Sequence, residues 1–158
     1  MNKVLLVILA FALVLLGSSV TACGKGIGVN NTSIHISNPD GGGDITMQAG
    51  GKTPENFGDI PTYPGCSQIS KVTGNEDMNG QPGVLDIRMY STNDNPDKVV
   101  SFYKDKMPGN GWTEDSWYEG DINMGSYNKG ETSLAVISIS AGDTKGGAII
   151  SISKKYVK

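Results

Sequence analysis

From Gln68 to the C terminus apolar and polar side chains alternate with a period of two. Gly-bearing turns interrupt it, and between Asn95 and Met107 a different pattern replaces it, where Val99, Phe102, Tyr103 and Met107 recur at spacings of three and four. A period of two sends successive side chains to opposite faces of a strand, whereas spacings of three and four line one face of a helix. The chain is therefore expected to build strands around a single helix. Gln68 to Thr73 and Val84 to Ser91 read as the first two strands, with the Gly- and Pro-bearing stretch 75–83 as their hairpin loop. In the second of these, Leu85, Ile87 and Met89 share a face expected to meet the core.

The helix carries its own start and stop signals. Asn95 suits the cap, Pro96 the first helical position, and Asp97 complements the dipole; Pro108-Gly109-Asn110-Gly111 ends it. Trp112 to Tyr118, Asn123 to Lys129, Ser133 to Ser140 and Ala148 to Ser153 follow as four more strands between Gly-bearing turns. The order β-β-α-β-β-β-β, with hairpin-length connections, predicts an α+β fold: a mostly antiparallel sheet with one helix packed on one face. Its core is expected to join the helix stripe and the Leu85, Ile87, Met89 row to Trp112 and members of Ala135, Ile137, Ile139, Ile150 and Ile152.

Ahead of this domain, Gly24 to Gly58 is rich in Gly, Asn, Ser, Thr and Asp, and reads as a flexible tether. Within it Ser33 to Ser37 and Asp44 to Met47 alternate as two short strands around Pro39-Asp40-Gly41, a hairpin marginal by itself. Pro61 and Pro64 make Asp59 to Gly65 an extended lead-in. The first residues form a different kind of segment. Lys3 precedes an unbroken apolar run from Val4 to Leu16, too short to cross a hydrocarbon core of about 30 Å comfortably, and therefore expected to be a secretory signal. Residues 1–22 are thus read as a signal peptide, 23–56 as anchor and tether, and 57–158 as the globular domain.

Val20-Thr21-Ala22-Cys23 resembles a lipobox, in which the Cys thiol is acylated before cleavage, with Val20 and Thr21 as accepted variants. The resemblance implies a lipoprotein held on the extracytoplasmic side of a cell membrane or outer membrane through Cys23. Two or three acyl chains would hold it stably where one would not. With Cys23 committed to lipid, Cys66 has no partner within the chain, and is expected to be buried as a small hydrophobe. The formal charge of −3 and the absence of a basic stripe argue against nucleic acid as a partner.

Ile60-Pro61-Thr62-Tyr63-Pro64-Gly65, then Asn95 to Lys104 with its Phe102-Tyr103 pair, then Asn110-Gly111-Trp112, resemble a module found in bacterial lipoproteins and other envelope proteins of undefined function. The likeness spans Phe57 to Lys158 and implies no catalytic residue. Cys66 stands where that pattern usually has a small residue such as Ala, which supports a packed side chain over a reactive thiol.

No set of residues reads as a catalytic, cofactor or metal site. His35 lies in the tether without ligands near it in sequence, and Cys66 has no evident base to lower its pKa. Glu114, Asp115, Glu119 and Asp121 surround Trp117 and Tyr118, but a carboxylate pair is set by separation in space, and charges on a strand edge also discourage strand pairing. Asp77-Met78-Asn79-Gly80 and Asn93-Asp94-Asn95 lack the full spacing of a calcium loop. The aromatics are more than so small a domain is expected to bury fully, and Trp117 with Tyr118 is the candidate binding edge. These residues favour a non-enzymatic, membrane-tethered module that binds an envelope protein or glycan. The alternatives are an enzyme using carboxylates or Cys66 and a self-associating structural protein.

Overall fold

Asn95 opens the helix as expected. Its side-chain Oδ1 accepts a hydrogen bond from the Lys98 N–H at 2.9 Å, Pro96 occupies the first turn with Asp97, and the helix α1 (Pro96–Gly109) ends where Asn110 caps the carbonyls of Met107 and Pro108. Val99, Tyr103 and Met107 are its buried residues. The computed structural model describes residues 32–36, 45–51, 53–55, 57–78, 80–142 and 146–158. The leader, Cys23 and the Pro39-Asp40-Gly41 turn lie outside the described residues.

Around α1 run β1 (Thr32–Ile36), β2 (Ile45–Gly51), β3 (Ser67–Met78), β4 (Gln81–Thr92), β5 (Thr113–Tyr118), β6 (Ile122–Lys129), β7 (Ser133–Ala141) and β8 (Ala148–Val157). They form one eight-stranded antiparallel sheet in the order β1-β2-β3-β4-β8-β7-β6-β5. The chain builds one meander from β1 to β4, crosses on α1 to the far edge, and returns through β5 to β7. The last strand, β8, closes the gap between the two meanders.

Two expectations change. The loop expected over residues 75–83 contracts, because β3 and β4 pair out to Met78 and Gln81 around a turn containing Gly80, whose φ of 84° suits glycine. The two strands placed inside the tether also join the sheet: β2 pairs with β3 from Ile45 opposite Gly74 to Gly51 opposite Gln68, and β1 pairs with β2. A hairpin that is marginal alone is held here by a third strand.

The largest correction concerns which side of β4 faces the helix. Across the sheet, Tyr90 aligns with Ile150 and Ile139, and Arg88 with Ile152 and Ile137, and these line the side under α1. Leu85, Ile87 and Met89 alternate to the other side, so the row expected to meet the helix faces away from it. Strand periodicity establishes that the row shares a face but cannot say which face the helix covers. The sheet in fact changes its apolar side near β4. On the helix side, β6 to β8 contribute Tyr127, Ala135, Ile137, Ile139, Ile150 and Ile152 to the core, while β4 and β3 present Asp86, Arg88, Lys71 and Gln68. On the opposite side the register runs Ser126-Val136-Ser153-Ile87-Val72-Met47 and Met124-Ser138-Ser151-Met89-Ser70-Ala49.

The polar part of the helix side is covered by the lead-in. Arg88 forks onto Asp86 at 2.8 and 3.1 Å, donates to the Glu55 carbonyl, and lies 4.2 Å over the Phe57 ring. Glu55 pairs with Lys71 at 2.6 Å. Farther along, Asp59 receives Lys154 at 2.6 Å and Lys129 at 2.9 Å, while its carbonyl accepts the Trp112 indole N–H. The lead-in is therefore pinned by charge at both ends and by Phe57, Ile60 and Tyr63 in the core.

Candidate functional site

Packing one amphipathic helix across β5 to β8 brings aromatic residues from four places into one layer. Tyr90 comes from β4, Tyr103 from α1, Tyr127 from β6, and Trp117 leans in from β5. Tyr90, Tyr103 and Tyr127 are fully buried, and Trp117 is half-buried. The expectation that not every ring can be fully buried is borne out, with Phe102 and Trp117 half-buried and Tyr118 exposed. Tyr63 and Trp112 are buried as well, Phe102 packs edge-on against Tyr63 and Tyr103, and Tyr118 is the strongly exposed aromatic, at 67%.

The layer is apolar in its walls and polar at several tips. The hydroxyls of Tyr90, Tyr103 and Tyr127 and the indole Nε1 of Trp117 are buried without a hydrogen-bond partner among the described residues. The four are not equivalent. Arg88 stands near enough to the Tyr90 hydroxyl to act on it, and the Tyr63 backbone near enough to that of Tyr103, without closing a bond of regular geometry. Glu114, opposite Tyr127 in the ladder, acts on the Tyr127 hydroxyl through its charge without a hydrogen bond. The rings of Tyr127 and Trp117 meet edge to face at 6.1 Å between centroids. Burial pushes Tyr90 up to about 12 and raises Tyr103 and Tyr127 further, so all three hydroxyls stay protonated and able to donate.

The local sequence explains why Trp117 enters the layer. It pairs across the ladder with Gly125, and a Cβ on Gly125 would overlap the Trp117 ring, so the missing side chain is what lets the indole lie down. A bulge between Glu114 and Ser116 shifts the register just before it. From above, Lys104 of α1 lies 4.9 Å over the Trp117 ring and bonds Glu119 at 2.6 Å. One ion pair thus spans from helix to strand end over the indole, and both partners are exposed enough to separate cheaply.

The other residues singled out in the sequence are dispersed. Trp117 and Tyr118 both lie on the edge strand β5, but alternation puts Trp117 on the helix side and Tyr118 on the opposite side, beside Met124. Glu119 is engaged by Lys104, and Asp115 accepts from the Ser126 hydroxyl at 3.2 Å. Glu114 stands opposite Tyr127 in the ladder. Asp94 accepts from Tyr63 and Lys98, which serves the turn into α1 and holds its carboxyl below the usual range. Cys66 is a free, buried thiol whose pKa burial raises, as expected of a packed side chain. His35 falls in β1, opposite Thr46. Among the described residues no three His, Cys, Asp or Glu side chains come together as a metal would require.

A second concavity lies outside the layer. Tyr63 and Pro64 of the lead-in face Lys98, Phe102 and Asp105 of α1 across an open groove of about 530 Å³. Its rim is charged in both signs and its floor is the Tyr63–Phe102 contact. It is broad and open to solvent, whereas the orphaned polar atoms all belong to the layer beneath the helix.

Sequence reasoning counted these aromatics but could not see that their hydroxyls would lack partners. Hydrogen-bond satisfaction depends on what stands opposite, which only the fold determines. The Trp117–Gly125 pair was equally hidden, since register is not written in either strand alone.

A family model described as START domain-like matches residues 69–146, just under half of the chain. The matched span runs from β3 through β7 and includes α1. No curated protein matches the chain, and no solved structure does.

Proposed function

We propose that this protein is a lipid-anchored extracytoplasmic lipoprotein whose domain is a non-enzymatic binding module, taking a small ligand into the aromatic layer between α1 and the sheet. The observation that carries the ligand site is the unpartnered pair of Tyr127 hydroxyl and Trp117 indole. A buried polar group without a partner costs about 1–3 kcal/mol, so a native fold that keeps two on adjoining rings is explained by a molecule, or ordered water, that bonds them. Rings on the walls and donors at the tips favour a largely apolar ligand with an acceptor group. The START domain-like match supports a binding role over a catalytic one. Anchoring rests on the leader and on Val20-Thr21-Ala22-Cys23.

The test begins with full-length protein purified from its own membrane and extracted for mass spectrometry of small molecules. A defined compound should accompany the wild type and fall at least tenfold in Trp117→Phe and Tyr127→Phe, each of which keeps an aromatic ring and deletes the polar atom. Equal recovery from all three, or no compound from any, counts against the site. Metabolic labelling with a radioactive fatty acid addresses the anchor independently: label should enter the wild type and not Cys23→Ala.

A further inference from the structure

The side of the sheet away from α1 is nearly without charge. Four rows can be read across most of its width from the register, with Lys155 as the charged side chain they contain; at the β5 edge the Asp115 carboxylate reaches this side to accept from Ser126, and Glu76 holds a position on it at the hairpin end of β3. The rest of the rows are serines and aliphatic residues, with Met124 and Tyr118 toward one edge and Met47 toward the other. An open antiparallel sheet normally turns a polar, charged face to water. Here most of the charges sit on the helix side and in the turns, where Asp59, Asp86, Arg88, Lys129 and Lys154 are engaged. Both α1 and the lead-in lie on the helix side, and no described element packs over the other. Val72 and Met89 are buried there, Ile87 and Leu85 half-buried, and Leu134 and Met124 exposed.

We infer that this face is the interface of a homodimer in which two sheets stack back to back. The pattern of side chains selects the occupant. Serine hydroxyls recur through the middle of the face, at Ser138, Ser151 and Ser153, and hydrocarbon could not satisfy them, so a bilayer surface is a poor cover. Through the middle of the face Lys155 is the one charge among the described residues, too little to hold a strongly charged partner. A second copy offers hydroxyl for hydroxyl and methyl for methyl about a two-fold axis, the self-complementarity that an isologous contact requires. Aligned sheets stack about 10 Å apart, which short serines and branched aliphatics can fill. Strands about 4.8 Å apart, each contributing roughly five residues, give a flat area of the order of 600 Å². Pleating enlarges that toward the roughly 800 Å² per partner of a standard interface.

Ser151 sits in the central strand of this face, so it lies near the axis of such a dimer. Full-length protein carrying Ser151→Cys should cross-link to a dimer in its native membrane under mild oxidation, at least tenfold more than Ser101→Cys, whose position is on the exposed side of α1. The buried Cys66 supplies no competing thiol. Adding Ile87→Glu should reduce the dimer band at least tenfold. Ser153→Lys should do the same if Ile87→Glu fails to fold by circular dichroism. Cross-linking no stronger than from Ser101→Cys would overturn the proposal. So would quenching, by a lipid-phase quencher, of a dye on the Ser151→Cys thiol, since the bilayer would then be the cover.

Discussion

Tyr127 shows most directly how a single atom can be out of keeping with its surroundings. Its ring packs among Trp117, Ala135 and the helix, while its hydroxyl has no partner among the described residues. Without ligand, Tyr127→Phe should therefore raise stability, by about 1 kcal/mol or a few degrees in Tm, because the variant keeps the packing and removes an unmet bond. A lower Tm in ligand-free protein would mean that the hydroxyl is bonded and that the reasoning from its isolation fails. Asp59 represents the opposite case. Burial pushes its pKa up, but hydrogen bonds from Lys129 and Lys154 outweigh burial and leave it below the ordinary value of 3.8. The folded state therefore holds the carboxylate more tightly than the unfolded chain does. That stabilisation is complete above the unfolded value and is lost as pH falls through the lower folded value. Melting curves between about pH 5 and pH 2 should show Asp59→Asn less stable than wild type at the upper end, the two converging toward the lower. Parallel curves throughout would remove Asp59 from the acid transition.

At the scale of elements, β4 decides the architecture. Its even-numbered residues turn from core to charge between Tyr90 and Arg88, and the lead-in folds over that charge. Arg88 and Asp86 are both nearly buried, so removing one partner leaves the other uncompensated. Arg88→Met should cost about 3–5 kcal/mol in denaturant unfolding, whereas Arg88→Met combined with Asp86→Leu should cost much less. An equal loss in both would assign the effect to the contacts of Arg88 with Phe57 and the Glu55 carbonyl. This strand also marks the limit of what the sequence discloses. The strands of the domain and the helix with its Asn95 cap follow from local patterns, because alternation, capping and Gly turns act between near neighbours. The side of β4 that meets the helix depends on where the crossing helix lands, and β8's place at the centre depends on pairing between segments far apart. Leu85, Ile87 and Met89 are as apolar as any core row, and nothing in their own stretch reveals that charged Arg88 and Asp86 lie on the helix side. The candidate site shared that fate: Trp117 was visible as an aromatic in an acidic stretch, but its neighbours Gly125, Tyr127 and Lys104 were assembled by register and packing.

For the molecule as a whole, the change of apolar side divides the sheet into halves with different dependencies. Among the described residues the helix-side core begins at Phe57, and no β2 side chain belongs to it. What β1 and β2 contribute is a ladder along β3 and partial cover for Val72 from Met47. Removing residues 32–51 should accordingly leave a domain that still unfolds cooperatively, at a cost of about 2–4 kcal/mol for half-buried apolar surface and lost ladder bonds. The larger consequence should be association. Deletion turns β3, twelve residues long, into a free edge with its donors and acceptors unpaired. Light scattering should then rise with concentration in the deleted protein, and a charge introduced at Lys71's neighbour Ser70 as Ser70→Lys should suppress it. If deletion instead abolishes cooperative melting, the two faces of the sheet form one folding unit and the segment read as a tether is part of the domain's foundation. That outcome would also bear on reach, because the chain left between Cys23 and β1 is residues 24–31, at most about 3.5 Å each when extended, which would hold an anchored domain within roughly 30 Å of the membrane surface.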